Sequence, residues 1–166
     1  MALRKPPVAR AGMLIRRPVA EVFGAFVNPA VTSRFWFTRG SAKLEQGRTV
    51  TWSWDMYGVS AEVVVKALET NRRILIEWPA PVEWTFEAKT DDTTFVRITA
   101  SGFTGTDDEQ VAQAIDAMGG FSLTLAGCKA WLEHGLSLNL VADHNPEAHT
   151  TADPGKGGRA TGGGPE

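Results

Sequence analysis

The sequence has few of the residues that build metal centres or nucleophilic active sites. It contains one cysteine, Cys128, and three histidines, His134, His144 and His149, which all follow the regularly patterned part of the chain. Because metal ions and activated nucleophiles need several such side chains close together, we expect no metal site, no cofactor and no catalytic pair. A single cysteine also cannot form an internal disulfide, which agrees with a reducing compartment.

Strong charge of one sign and long apolar runs are missing as well. The formal net charge is −2, so nothing predicts a nucleic-acid partner. The apolar run at residues 11–15 is far shorter than a signal-peptide core, and no segment is long enough for membrane insertion. A cytoplasmic protein is therefore expected.

The chain length and local composition predict a single domain with two irregular ends. Residues 1–9 have no periodic pattern and form a flexible leader, and residues 10–142 form the domain. In residues 143–166 the composition changes to His, Pro, Gly, Ala and Thr, which cannot bury enough apolar surface to become ordered. We therefore expect a disordered tail there.

The middle of the chain reads as a series of antiparallel strands. Apolar and polar residues alternate with a period of two, and short turn signals separate the runs. With a first strand at residues 11–17, the sheet should have about seven strands. The other predicted strands are 41–44, 49–56, 59–68, 73–78, 82–89 and 93–102.

Three helices are predicted around these strands. Pro18 opens a short helix, and Asn28 with Pro29 restarts a second one that runs to Arg34. A long C-terminal helix covers residues 106–133 and begins with a capping box. Two glycines in its middle, at 119 and 120, predict a point of close backbone approach. Its apolar stripe consists of Val111, Ile115, Met118, Phe121, Leu125, Cys128 and Leu132.

Large aromatic side chains share one face of three predicted strands. Successive side chains of a strand point to opposite faces, so strand parity groups Trp52, Trp54, Trp78, Trp84 and Phe86 on a single face. The same parity places the strand glutamates on the opposite, solvated face. A second set of polar residues lies at strand ends and in loops, where it could rim a cavity mouth: Arg34, Arg39, Asp55 and Tyr57.

The sequences and the order of five short motifs resemble those of a known superfamily. The chain is similar to the START-like (SRPBCC, helix-grip) superfamily, in its bacterial branch of heat-shock-protein-90 ATPase activator homologues. The resemblance spans residues 11–133. It rests on five segments: 18–23 (PVAEVF), 35–37 (FWF), 44–47 (LEQG), 96–99 (VRIT) and 119–121 (GGF).

The resemblance implies an α+β fold in which a curved antiparallel sheet wraps around the long helix. It also implies a hydrophobic cavity between sheet and helix. The side chains that we expect to line this cavity are Trp36, Trp52, Trp54, Val63, Trp78, Trp84, Phe86, Met118, Phe121 and Leu125.

Three functions follow from these expectations and remain open at this point. The first is binding of a small hydrophobic molecule, such as a polyketide, a flavonoid-like or a lipid-like compound, without catalysis. The second is a polyketide cyclase or hydrolase-like enzyme that uses a proton donor at the cavity rim. The third is an interaction module that modulates a chaperone ATPase. A homodimer is compatible with each of these three functions.

Overall fold

The computed structural model describes residues 2–150 and has an α+β architecture. Its sheet is curled and contains seven antiparallel strands in the order β1-β7-β6-β5-β4-β3-β2. The strands are β1 (Ala9–Ile15), β2 (Arg39–Gly40), β3 (Thr49–Trp54), β4 (Val59–Glu69), β5 (Arg73–Trp78), β6 (Ala80–Thr90) and β7 (Thr93–Ala100). The predicted helix-grip fold is confirmed.

The first three of the four helices follow the predicted order, and the short fourth helix was not predicted. They are α1 (Val19–Val27), α2 (Pro29–Thr32), the long α3 (Asp107–His134) and the short α4 (Leu140–Asp143), with two 3₁₀ turns at Asp55–Tyr57 and Pro146–Ala148. The Thr106 hydroxyl and the Glu109 carboxylate form the predicted capping box at the start of α3. Gly135 ends the helix in the left-handed region at a φ of 66°, where glycine is favoured.

The predicted strand at 41–44 is wrong. Arg39 and Gly40 pair with β3, the Ser41 N–H donates to the Thr51 carbonyl at 2.9 Å, and the chain then leaves the sheet. The Leu44 N–H donates to the Val27 carbonyl of α1 at 3.0 Å, and the Leu44 side chain is buried. The segment is apolar because it closes the gap between the sheet and α1. Over only four residues, its apolar pattern resembles that of a strand.

Helix α3 faces the sheet with smaller side chains than predicted. Ala114 and Ala117 point inward in its N-terminal half, whereas Ile115 is 62% exposed and Met118 is 45% exposed. Small side chains let the helix lie close to β1, and Lys129 fixes this position by donating to the Leu14 carbonyl at 2.8 Å. The placement of Met118 in the cavity wall is thus a wrong prediction.

Gly127, rather than Gly119, marks the close backbone approach of α3. A Cβ atom added to Gly127 would lie 3.0 Å from the Phe35 carbonyl oxygen and 3.1 Å from the Phe35 Cβ. A Cβ atom added to Gly119 would meet nothing within 4 Å. The helix therefore contacts the segment after α2 at Gly127. This contact helps to position the residues next to Phe35.

The C-terminal segment packs against the turn after β3. The Tyr57 hydroxyl donates to the Val141 carbonyl, and the Thr150 N–H donates to the Met56 carbonyl at 3.0 Å. The ring of His149 lies 5.6 Å from the ring of Tyr57. Residues 143–150 thus differ from the expected disordered tail, while residues 151–166 of that tail lie outside the described part of the chain.

Candidate ligand-binding site

A helical corner directs Trp36 into the space between the sheet and α3. The Asn28 side chain caps α2 by accepting from the Ala30 N–H at 3.1 Å. The buried Thr32 then holds the exit from α2, because its carbonyl accepts from the N–H groups of Phe35 at 3.1 Å and Trp36 at 3.0 Å. The chain is thereby turned inward at Trp36, which is 4% exposed.

Trp36 lies at the centre of the aromatic cluster. Its ring contacts rings from β3, from β5, from β6 and from α3, and it is the ring that joins them into one group. The centroid distances are 4.9 Å to Trp52, 6.0 Å to Trp54, 5.8 Å to Trp78, 5.9 Å to Trp84 and 6.3 Å to Phe121.

The rings around Trp36 interlock. Trp54 and Trp78 stack with an interplanar angle of 6° at 5.5 Å, and Phe37 stacks on Trp52 at 5.0 Å. The space between these rings has no room for a water molecule, with a free volume of about 0 Å³. It is lined by Phe26, Trp36, Leu44, Trp52, Ile74 and Trp84. The open cavity expected at this position is therefore not present: the Trp36 ring fills the space that the strand-borne rings would enclose.

A small apolar opening remains at one end of the cluster. It has a volume of about 50 Å³ and is lined by residues including Trp78, Ala80, Val82, Phe103, Ala117 and Phe121. The share of one water molecule in the liquid is about 30 Å³, so this opening holds one small group at most. Trp78 and Phe103 are half-buried and form its rim.

A second cleft is lined by the segment that carries Trp36. It has a volume of about 220 Å³ and lies between residues 33–38 and residues 137–142 of the C-terminal segment. The segment that carries Trp36 thus borders free space as well as the aromatic cluster.

The interior is uncharged. Among residues 2–150, no Asp, Glu, Lys, Arg or His belongs to the buried set. The strand glutamates point outward as predicted, and three of them pair with cations on the outer face: Glu77 with Lys66, Glu83 with Arg73 and Glu87 with Lys89.

The expected rim residues have partners outside the aromatic cluster. Arg39 and Asp55 form an exposed ion pair at 2.9 Å, and the Arg34 guanidinium lies 5.3 Å from the centroid of the Trp131 ring. Tyr57 is buried beneath the C-terminal segment, where burial and then the Asp143 charge raise the pKa of its phenol. These residues therefore offer no proton donor to the interior.

Two buried side-chain polar atoms lack a partner among residues 2–150. They are the indole Nε1 atoms of Trp54 and Trp84, for which this part of the chain provides no hydrogen-bond acceptor. Trp54 is 0% exposed and Trp84 is 2% exposed, so solvent does not reach either ring. Strand parity places both rings inside, but it gives no information on where an indole N–H finds an acceptor.

Comparison with known proteins settles the family. The model of the family described as "Activator of Hsp90 ATPase homolog 1-like protein" matches residues 16–133. The chain belongs to this family. No curated protein matches the chain.

Solved structures of this Hsp90-activator-like fold are similar to the chain over most of its length. Protein SSP2350 from Staphylococcus saprophyticus has a TM-score of 0.72 and 29% identity, and the match covers 80% of this chain and 96% of that chain. DynU16, a protein in the dynemicin biosynthetic locus, has a TM-score of 0.68 and 21% identity over 78% of this chain and 48% of its own. The Aha1 dimer from Colwellia psychrerythraea has a TM-score of 0.66 and 17% identity over 78% and 98%.

Within this family fold, most of the predicted site residues come together. Eight are buried between sheet and α3, Trp78 is at the opening, and Met118 is outside. The buried eight are Trp36, Trp52, Trp54, Val63, Trp84, Phe86, Phe121 and Leu125. Phe103 was not predicted because it lies in a loop. Ala117 was not predicted because its side chain is too small to stand out in an apolar stripe.

Metal-binding groups, reactive thiols and membrane-spanning helices are not found in the described part of the chain. Three or more His, Cys, Asp or Glu side chains do not meet in a metal-binding group among residues 2–150. Burial strongly raises the pKa of the Cys128 thiol, so the reactive thiolate is disfavoured. No helix in this part of the chain is long and apolar enough to span a membrane.

Proposed function

We propose that the protein binds a small, flat and largely apolar molecule between the sheet and α3. The observation that carries this proposal is the position of Trp36. It is the central ring of the cluster, yet it comes from a connecting segment that also lines a cleft of about 220 Å³. Connecting segments open at lower free energy than strands and helices do, so this ring can move aside while the strand-borne rings stay in place.

The route into the cluster begins at the small opening beside Ala117. Its walls are apolar, and its rim residue Trp78 stacks directly on Trp54. A flat guest that enters here meets the rings of Trp78, Phe103 and Phe121, which favour aromatic molecules through ring contacts and burial of apolar surface. The similarity to DynU16 supports a small-molecule ligand, because that protein is named for a biosynthetic locus.

Filling the opening should weaken binding without unfolding the protein. Ala117→Leu places a larger apolar side chain in the 50 Å³ space, whereas Ala112→Leu makes the same change on the exposed face of α3. With the neutral fluorescent probe N-phenyl-1-naphthylamine, we expect saturable binding to the wild type and to Ala112→Leu. We expect the affinity of Ala117→Leu to be at least about tenfold weaker, a loss of about 1.4 kcal/mol.

Two outcomes would contradict this proposal. One is the absence of saturable binding to the wild-type protein. The other is equal affinity of the Ala117→Leu and Ala112→Leu variants, because the opening would then not be the way in.

The exposed side chains of α3 favour a second candidate, a protein-interaction module. Ile115 and Met118 lie one turn apart and are exposed apolar residues, as an interaction surface would require. Binding to a chaperone ATPase that is lost when both residues are replaced by lysine, but that persists in Ala117→Leu, would favour this candidate. We do not propose the cyclase, since it needs a titratable side chain in an interior that contains none among the described Asp, Glu, Lys, Arg and His residues.

A further inference from the structure

The two unpartnered indole N–H groups are the polar feature that the proposed binding site leaves unexplained. Trp54 and Trp84 belong to the aromatic cluster, and neither Nε1 atom has a hydrogen-bond acceptor in the part of the chain that the structure describes. Almost all buried donors in folded proteins have an acceptor, because an unpaired one costs about 1–3 kcal/mol. A cluster made of phenylalanine rings would avoid this cost and still bury the same kind of apolar surface.

Both donors lie on the path that a guest would follow. Trp54 stacks on Trp78 at the opening, and Trp84 makes an edge contact of 6.2 Å with Phe121, which also lines the opening. Both rings contact Trp36, at 6.0 Å and 5.9 Å between ring centroids. A flat molecule that displaces Trp36 would therefore lie next to both of them.

We propose that Trp54 and Trp84 are specificity-determining donors, and that the ligand is an uncharged ring compound carrying hydrogen-bond acceptors such as ketone oxygens. This inference rests on the proposed function and narrows it. An acceptor on the guest removes the cost of an unpaired donor in the complex only, so the indole N–H contributes to affinity for acceptor-bearing molecules and not for hydrocarbons.

The uncharged interior sets the second condition on the ligand. A buried carboxylate needs a cation or several donors, since an unpaired charge is far more costly to bury than a neutral polar group. No lysine, arginine or histidine among residues 2–150 is buried beside these rings. Fatty acids that must bury their carboxylate are therefore poor guests, whereas a neutral carbonyl needs only the donors that are present.

The test compares 9-fluorenone with fluorene, which share a three-ring skeleton and differ by one carbonyl oxygen. The measured quantity is the ratio of their dissociation constants in the wild type, Trp54→Phe and Trp84→Phe. A phenylalanine keeps an aromatic ring but removes the N–H, and the ratio cancels any loss of packing that affects both compounds. We expect the preference for fluorenone to fall by about fivefold or more in at least one of the two variants.

Trp52→Phe is the matched control. Trp52 belongs to the same cluster and is 2% exposed, but its Nε1 is not one of the two buried unpartnered atoms. The fluorenone preference should stay at the wild-type value in this variant. Thermal unfolding of each variant establishes that the domain is folded at the temperature of the measurement.

The outcomes separate this inference from the function on which it rests. If both compounds bind and the ratio is unchanged in Trp54→Phe and Trp84→Phe, the inference is wrong and the binding function stands. In that case the indole N–H groups are satisfied weakly by the faces of neighbouring rings. If neither compound binds the wild type, the inference and the proposed function both fail. An equal fall of the ratio in Trp52→Phe would also overturn the inference.

Discussion

Replacing Trp36 by alanine is expected to lower the free energy of unfolding by about 3–5 kcal/mol, the usual range for removing a large buried aromatic ring. The ring is 4% exposed and contacts rings from three strands as well as the Phe121 ring. Its neighbours belong to strands and to α3, so they cannot move inward to fill the space. Chemical denaturation with urea measures the loss.

The same variant should bind free indole, because the space that it leaves has the shape of that ring. At a free indole concentration tenfold above the dissociation constant, the variant should regain about 1.4 kcal/mol of stability. Trp131→Ala is the matched control, since the half-buried Trp131 ring lies at the surface beneath Arg34. Indole should not stabilise this control. If the free energy of unfolding of Trp36→Ala falls by less than about 1 kcal/mol, or if indole does not stabilise this variant, Trp36 does not fill a guest-sized space.

Gly127→Val is expected to destabilise the protein by about 1–3 kcal/mol, the typical cost of overpacking. Even a Cβ atom at this position lies 3.0 Å from the Phe35 carbonyl oxygen, and the branched side chain adds two methyl groups to that contact. The helix must then move away from the segment that carries Trp36. We therefore expect Gly127→Val also to raise the fluorescence of bound N-phenyl-1-naphthylamine, because the aromatic cluster is loosened.

Gly119→Val provides the comparison for this prediction. It makes the same change in the same helix, at a position where an added Cβ meets nothing within 4 Å. Valine is a better helix former than glycine, so the stability of this variant should stay unchanged or rise by a few tenths of a kcal/mol. Equal stability of the two variants would mean that α3 has room to shift at Gly127 and does not hold the Trp36 segment.

The direction of the strand side chains could be predicted from the sequence, but the space between them could not. Parity placed Trp52, Trp54 and Trp84 on one face, and all three are buried there. Parity contains no distances, however, and it says nothing of a ring that enters from a connecting segment. Trp36 was predicted to line a cavity, and in the structure it fills one.

The face of α3 was harder to predict than its ends. Thr106 and Gly135 are local signals and mark the two ends correctly. The inward face depends on how closely the helix approaches β1, and a close approach selects Ala114 and Ala117 over the larger Ile115 and Met118. A stripe drawn through the largest apolar residues therefore rotated the predicted face away from the sheet.

Residues 143–150 are held by tertiary contacts that their composition does not predict. Residues 143–150 have no apolar stripe, but their backbone and ring atoms contact Met56 and Tyr57. Tyr57 itself was expected at a cavity rim, because a turn between strands is usually exposed. Instead, the His149 ring of this segment lies 5.6 Å from the phenol ring, and the Val141 carbonyl, just before the segment, accepts the hydrogen bond of the phenol.

The most direct test of a guest-accepting interior is to follow the six tryptophan indole N–H signals by ¹H–¹⁵N NMR during a titration with 9-fluorenone. The proposed binding mode predicts that the Trp54 and Trp84 signals shift downfield as their N–H groups gain an acceptor, and that the Trp36 signal shifts as its ring moves. The surface Trp131 signal should stay in place. Shifts confined to Trp131, with the buried indoles unchanged at saturating fluorenone, would contradict the account.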